Sequence, residues 1–485
     1  MRYIYIYIYI LCFCITKAQI RFNTNLPLGI DTTMDIGLAT IELNNKCFLA
    51  GGASNSPFSN YCGAYLVKTK SNGDTIWKKQ FNFSVEGCDI FTDIKELADS
   101  NYLITGSTYD SVIQNSDVFL AKIDTNGSLL WFEKYTHTDN DQSAELKLTP
   151  DDKVIILGNS TPNPNTTYNN VLLIKTDLNG NLIWRKTFGD TYDEIYESIT
   201  LIKNNSEYLL GGRHGYSSSG TDYYDMSLMR TDTAGNIIWQ QQYGTPTGNE
   251  TSGCALQTLD SGFVMSGTYN NSGALVKLDK NGNQKWIKNY GFPTDSYIRY
   301  VKQLPDSSFA FIVSYTYAPT NNSYTGFLNK TDKNGNLLWQ RVYPGPMTIP
   351  NFFFGFNTTA DKGFIMTGQY NHIGQPYQNM WLVKTDSLGC DSVTCSYLPT
   401  SIKTNDVNTS SLDIYPNPTN GSIHIVCTVE LQCIEVTTIA GQVLLSEKTK
   451  DKTHRLQLQN FAEGIYFVKV VYANGMSVIK KIIKQ

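Results

Sequence analysis

Short apolar runs of strand length, separated by Gly, Asn, Asp and Ser clusters, follow one another along most of this chain, and no stretch sustains a 3.6-residue period. The runs come in groups of four. Each group ends on one phrase: an apolar run, a Lys or Arg, a tight turn, then Trp. It reads YLVKTKSNGDTIW (65–77), FLAKIDTNGSLLW (119–131), LLIKTDLNGNLIW (172–184), SLMRTDTAGNIIW (227–239), ALVKLDKNGNQKW (274–286) and FLNKTDKNGNLLW (327–339), while WLVKTDSLG (381–389) stops before its Trp. Successive Trp residues lie 54, 53, 55, 47 and 53 positions apart. A period near fifty residues predicts a repeat architecture.

In the fourth repeat the runs are EIYESITLI (194–202), EYLLGG (207–212), DMSLMRTD (225–232) and NIIWQQQY (236–243), here termed strands A, B, C and D. The C–D connection carries Asp, Asn and Gly in Asp124–Gly127, Asp177–Gly180 and Asp332–Gly335. Asn and Gly tolerate positive φ and Asp accepts backbone hydrogen bonds, so a hairpin is expected there. A calcium loop would need further oxygen ligands and a Glu at its twelfth position, which these copies lack. An isolated four-stranded unit leaves two edges open and cannot bury both faces; radial packing solves both problems. The expected fold is therefore all-β, a seven-bladed β-propeller over 19–398. Trp77, Trp131, Trp184, Trp239, Trp286 and Trp339 are its outer-strand packing anchors. There are seven B runs but six D runs, so the orphan run IRFNT (20–24) is expected to close the ring as fourth strand of the last blade.

Residues 1–18, with Arg2 before an apolar stretch and Thr16-Lys17-Ala18 at its end, read as a signal peptide, too short in its apolar part to span a bilayer. The polar stretch 399–411 reads as a linker. Residues 412–485 parse as about seven short strands, an expected small Ig-like β-sandwich. Within it, IYPNPTNG supplies Tyr415, Pro416, Asn417, Pro418 and Gly421, TTIAGQVL supplies Gly441, FAEGIYFVKV supplies Gly464 and Tyr466, and the chain ends on KKIIKQ. Together these motifs resemble the type A C-terminal sorting domain of proteins exported by the Bacteroidota type IX secretion system. The resemblance implies periplasmic export, passage through the outer-membrane translocon, and removal of the domain by the system's sortase-like protease, with the cargo attached to the surface or released. The repeat half resembles the degenerate repeat proteins that carry such tails. Its D-x-x-G-x-x-x-W phrase is also similar to the tryptophan docking motif of quinoprotein-like propellers, and Gly51-Gly52 and Gly211-Gly212 to kelch doublets, but five of seven copies lack the doublet and the turn is shorter than the quinoprotein one. Neither family's ligands transfer.

Eight cysteines follow residue 18, an even number in an exported chain, which favours disulfides. Cys390 with Cys395 and Cys427 with Cys433 have spacings that permit local pairing; Cys62 and Cys88 are placed on one face; Cys47 and Cys254 stay unassigned. No zinc spacing, cofactor motif or catalytic constellation is read: the five His residues are scattered, and the pairs Asp193/Glu194 and Asp139/Asp141 read as solvated loop acids rather than the paired acids of a glycosidase. Arg21, Arg185, Arg213, Arg230, Arg299 and Arg341 are spread along the repeats without the convergence a sialidase-type site needs. A formal net charge of −4 with mixed signs argues against nucleic acid. The B–C connections instead carry Tyr109, Tyr168, His214, Tyr216, Tyr223, Tyr269, Tyr315, Tyr317, Tyr324, Tyr370 and Tyr377 among small polar residues, the chemistry of binding loops. The sequence thus predicts a secreted or surface-attached propeller that binds an extracellular glycan or protein. A glycan-active hydrolase and a structural surface protein without a ligand are the competing readings.

Overall fold

The computed structural model describes residues 20–28, 33–55, 62–84, 87–112, 114–162, 168–189, 191–202, 206–218, 221–245, 248–290, 296–315, 326–343, 351–372, 375, 377–392, 412–427, 430–438, 443–472 and 477–485. The chain divides into two compact units, Met1–Leu398 and Pro399–Gln485. Their regular elements are β-strands throughout. The expected signal peptide and linker, with Tyr317, Tyr324, Cys395 and Gly441, lie outside the described residues.

In the first unit the runs pair antiparallel in the order A-B-C-D. Repeat one uses Met34–Glu42, Phe48–Asn55, Cys62–Thr69 and Thr75–Phe81; repeat four uses Glu194–Ile202, Glu207–Ser218, Thr221–Asp232 and Ile237–Tyr243. Among the described residues six such sets are complete in chain order. The last, Phe352–Thr358, Phe364–Asn371 and Gln378–Thr385, takes Phe22–Leu26 as its fourth strand, in the register Phe22↔Lys384 to Leu26↔Met380. The A strands touch one another in a closed cycle, the first against the last, so the unit is propeller-like, with the A strands inside and the D strands outside. B and C strands are apolar on both faces because neighbouring sheets cover both; Leu209, Leu210, Leu228 and Met229 are fully buried.

The repeated phrase is a docking device between successive sets. The C–D turn glycine has positive φ, and its missing side chain leaves room for the Trp of the preceding repeat: a Cβ on Gly127 would lie 3.3 Å from the Trp77 ring, and one on Gly389 would lie 2.9 Å from Trp339. The remaining Trp residues sit the same way under Gly180, Gly235, Gly282 and Gly335. At the closure Phe22 occupies that place beneath Gly73, 2.8 Å from the same virtual atom. The N-terminal strand therefore supplies both the missing hydrogen-bonded edge and the missing ring. Tyrosines at the ends of D strands reinforce the contact, Tyr135 donating to Gly180 O (2.9 Å), Tyr243 to Gly282 O (2.8 Å) and Tyr343 to Gly389 O (2.7 Å). The turn aspartates are spent locally: Asp124 Oδ1 accepts the Asn126 and Ser128 amides at 2.9 and 2.7 Å.

The Lys before each turn also has a partner. Lys122, Lys277, Lys330 and Lys384 pair with acids of the A–B turn of their own repeat, Asp99, Asp260, Asp306 and Asp361, at 2.7 to 3.1 Å. Repeat one has no acid in that turn, and Lys68 instead donates to Thr125 O of the next repeat (3.0 Å). Cys62 and Cys88 form a disulfide with Cα atoms 4.4 Å apart, joining strand C of repeat one to strand A of repeat two. Cys390 is also disulfide-bonded.

In the second unit Leu412–Tyr415, Ser422–Cys427 and Thr453–Gln457 form one sheet, and Val443–Lys448, Leu431–Thr438, Gly464–Tyr472 and Ser477–Lys484 the other; Ile423, Ile425, Val436 and Val468 share their common core. The IYPNPTNG segment clamps the last strand. Asn417 Nδ2 donates to Lys481 O, its Oδ1 accepts Ile483 N, both at 2.9 Å, and Thr419 N donates to Ile483 O (2.8 Å). Gly421 O accepts Leu458 N, and the Tyr466 hydroxyl donates to Ala462 O. The expected Cys427–Cys433 disulfide is corrected: the two residues do not flank a hairpin but lie on strands of different sheets. Cys427 Sγ points to Lys452 O (3.3 Å) and Cys433 Sγ to the Ser446 hydroxyl (3.6 Å).

Candidate binding pocket at the inner wall

Every A strand carries a bulge at the same level, which ejects one residue from the alternating pattern: Leu38, Thr92, Ala144, Glu197, Gly253, Arg299 and Phe354. In repeats two, three and four the residue after the bulge ties its repeat to the next. Asp93 accepts Leu146 N (3.0 Å), Glu145 accepts Ile199 N (2.8 Å), and Ser198 Oγ accepts Ala255 N (2.8 Å), each reaching from one repeat to the next. Lys95 and Lys147 pair with Asp93 and Glu145. Burial alone would push Asp93 up, but these lysines and the Leu146 N–H hold it below the usual carboxylate range. Its proton chemistry is thus committed to holding inner strands together.

Above this layer, at the end where B–C and D–A connections leave, a cavity of about 440 Å³ opens between repeats four, five and six. Repeat four contributes Ile195, Glu197 and Arg213; repeat five contributes Asn249, Thr251, Ser252, Thr268 and Asn271; repeat six contributes Ser296 and Tyr297. Gly253 lets the repeat-six strand come close, since a Cβ there would meet Arg299 O at 2.5 Å and Tyr297 Oη at 2.7 Å. The Tyr297 hydroxyl donates to Glu197 Oε2 (2.9 Å). Burial would lower Arg299, but Glu197, Tyr300 and Tyr297 outweigh it and hold the guanidinium firmly charged. Arg213 stacks on Tyr224, its Cζ 4.6 Å from the ring centroid.

The cavity exists because repeat five is short. From the start of strand B to the Arg or Lys near the end of strand C there are 22 positions in repeat four (Tyr208 to Arg230) but 14 in repeat five (Phe263 to Lys277), which accounts for the spacing of 47 rather than 55 between Trp residues. Strands Phe263–Tyr269 and Ser272–Leu278 are joined by Asn270 and Asn271 alone, with φ of 50° and 58°, the two-residue turn these residues favour. Repeat four does the opposite, extending B and C to twelve residues each and raising a wall beside the opening.

Among the described residues, none of the expected B–C loop residues lines this cavity. Tyr216 and Tyr223 stack across the long hairpin (5.7 Å), with Tyr216 donating to Thr245 O. His214 pairs with Glu194 (2.8 Å). Tyr370 packs on Trp381 and His372, and Tyr377 on His372. Tyr269 is half-buried against the core, Tyr315 lies on its strand, and Tyr109 and Tyr168 are exposed, each 39%. The reading of Asp193/Glu194 and Asp139/Asp141 as solvated loop acids is corrected: Asp141 and Glu194 are buried on A strands, Asp139 and Asp141 pair with Arg185 (3.6 and 3.0 Å), and Asp193 bonds Asn169 and the Tyr224 hydroxyl. Asp225 has its carboxyl pushed up to about 6 by burial and by Glu250, against the opposing pull of His214. Its Oδ1 and the Glu250 carboxylate lie against Gly244, at 1.8 and 3.0 Å from where a Cβ would stand, under the D–A loop rather than on the cavity lining. The missed residues are Glu197, Arg213, Ser252 and Tyr297; the one sequence signal for them was the short fifth period.

Residues 413–485 match the family model described as a secretion system C-terminal sorting domain. This domain supports type IX sorting, implies interaction with that secretion machinery, and directs the chain to the cell surface or extracellular space. No curated protein matches the chain. Similar solved structures include the α-L-arabinanase of Penicillium chrysogenum complexed with arabinobiose (14% identity, covering 76% of this chain and 98% of that one, TM-score 0.44). They also include the α-L-arabinofuranosidase of Fusarium graminearum with arabinobiose (13%, 75% and 97%, TM-score 0.43) and the β-propeller domain of the Trilobed protease from Pyrococcus furiosus (10%, 75% and 99%, TM-score 0.41). These likenesses are too distant to carry an argument about what this chain binds.

Proposed function

We propose that residues 19–398 are a seven-bladed β-propeller that binds glycan outside the cell, delivered by a signal peptide (1–18) and, beyond a linker (399–411), an Ig-like sorting sandwich (412–485) that the sortase-like protease removes. The observation that carries the reading is the inner-wall cavity. Its volume of about 440 Å³ suits one or two sugar rings, and its lining of hydroxyl, amide and guanidinium groups beside the Tyr297 ring matches the polar edges and apolar faces of a saccharide. Among the described lining residues one carboxylate, Glu197, is present, which supports retention of a glycan rather than hydrolysis by paired acids. The exposed Tyr109 and Tyr168 extend the same end of the molecule as an outer contact surface. Incubating the mature chain with a broad glycan panel, while measuring retention and new reducing ends in the same wells, tests this. Retention without product is expected; absence of retention across the panel, or release of reducing ends, would overturn it.

A further inference from the structure

Resting on that reading, we infer that the inner-wall cavity selects an acidic sugar, a saccharide carrying a carboxylate, with Arg213 as the anion's partner. Arg213 lines the cavity, yet among the described residues no hydrogen-bond acceptor or carboxylate pairs with its guanidinium, and its Nε is buried without a partner. The Tyr224 ring beneath its Cζ, 4.6 Å to the centroid, holds the group in place. Ser252 is an independent second sign. It is 3% exposed, lines the same cavity, and its hydroxyl is buried with no partner. A buried polar group left unsatisfied is costly, so two such groups on one cavity wall mark where an external acceptor fits.

The sign of that acceptor follows from the neighbours. Among the described lining residues Glu197 is the acid; its Oε2 accepts the Tyr297 hydroxyl, and its charge acts on the buried Arg299. Arg213 is then the lining charge that makes no ion pair among the described residues. A carboxylate would meet the planar guanidinium with short, charge-assisted bonds, while Ser252 and the amides of Asn249 and Asn271 are within the same lining for the neighbouring ring hydroxyls. A neutral sugar would offer Arg213 hydroxyl acceptors but leave its charge unmatched. The two-residue turn at Asn270 and Asn271 places no long B–C loop of repeat five over the cavity.

The mature chain should be titrated calorimetrically, at two salt concentrations, with trigalacturonate, free galacturonate, neutral galactotriose and galactose sulfate. Trigalacturonate should bind at least tenfold more tightly than galactotriose, with free galacturonate following in the same direction, and the difference should shrink at high salt. Arg213→Met keeps an apolar stem over Tyr224 and should reduce the preference to within about twofold without shifting the thermal melt; Arg213→Lys should keep part of it. Lengthening the Asn270–Asn271 turn by six residues should block binding without touching any lining arginine, which covers the case of an unfolded Arg213 variant. Equal binding of acidic and neutral trimers, tighter binding of the sulfate, or an acid preference that survives Arg213→Met would overturn the inference. Retention of neutral glycans with no acid preference would leave the glycan-binding reading standing and remove only this step; no binding to any sugar would remove both.

Discussion

The outer rim and the inner wall of the first unit are built to opposite rules. At the rim the same Trp, turn glycine and C-strand cation recur in almost every repeat, each touching its counterpart in the next or an acid in its own. At the inner wall the backbone feature recurs, a bulge in every A strand, but the ejected residue changes from Leu38 to Thr92, Ala144, Glu197, Gly253, Arg299 and Phe354. Identical residues mark a packing contact made many times over. A fixed geometry with variable residues marks positions where the ring tolerates, and uses, different chemistry. Changes at the rim should therefore act on stability, and changes at the wall on binding.

The largest effect is expected from Trp131→Ala at the rim. It empties the contact with the Gly180 turn and should cost about 3–5 kcal/mol in chemical denaturation, whereas Leu38→Ala at the wall should cost clearly less. Equal losses at the two sites would break the comparison. Replacing both Cys62 and Cys88 with Ala should follow at about 2–4 kcal/mol, since the bond closes a 26-residue separation between two repeats; a melt unchanged from that of the oxidised wild type would refute a stabilising role for the bond.

Smaller again is the pH response. Asp99, Asp151, Asp306 and Asp361 at the rim all lie below the usual carboxylate value, through lysine partners and local hydrogen bonds that outweigh burial where burial opposes them. Their stabilisation is complete above the unfolded value near 3.8 and is lost as pH falls through the lower folded values. Asp225 has the reverse sign. Raised to about 6, it takes up its proton in the folded state first, so stability is gained as pH falls from 6 toward 4. The melting temperature should rise slightly between pH 7 and 5 and then drop steeply below 4. Asp225→Asn should flatten the rise and leave the drop intact; a profile unaffected by the substitution would refute the assignment. The smallest stability change, under about 1 kcal/mol, is expected from Ser252→Ala at the wall, whose hydroxyl has no partner to lose among the described residues, while glycan retention should weaken.

The sequence by itself determined the period, the C–D hairpins, the strand class, the closing role of residues 20–24 and the sorting tail. Each of these is written in neighbours a few positions apart: an apolar run, a positive-φ turn, a motif of eight residues. It also brought Cys62 and Cys88 to one face. It did not show that the repeated Trp sits beneath a glycine one repeat later, that Phe22 stands in for the missing Trp, or that the C-strand lysines pair with acids of the A–B turns. Those partners lie about twenty to fifty residues away, and only ring closure selects them. For the same reason Cys427 and Cys433, close in sequence, ended on different sheets. The pocket is the sharpest case. Glu197, Arg213, Ser252 and Tyr297 share no motif or spacing, and they meet because a bulge turns one residue inward, a short fifth repeat withdraws its hairpin and a long fourth repeat raises its own. Local chemistry decides elements; which side chains share a cavity is decided by the closed ring, where residues a hundred positions apart, such as Glu197 and Tyr297, come within a hydrogen bond.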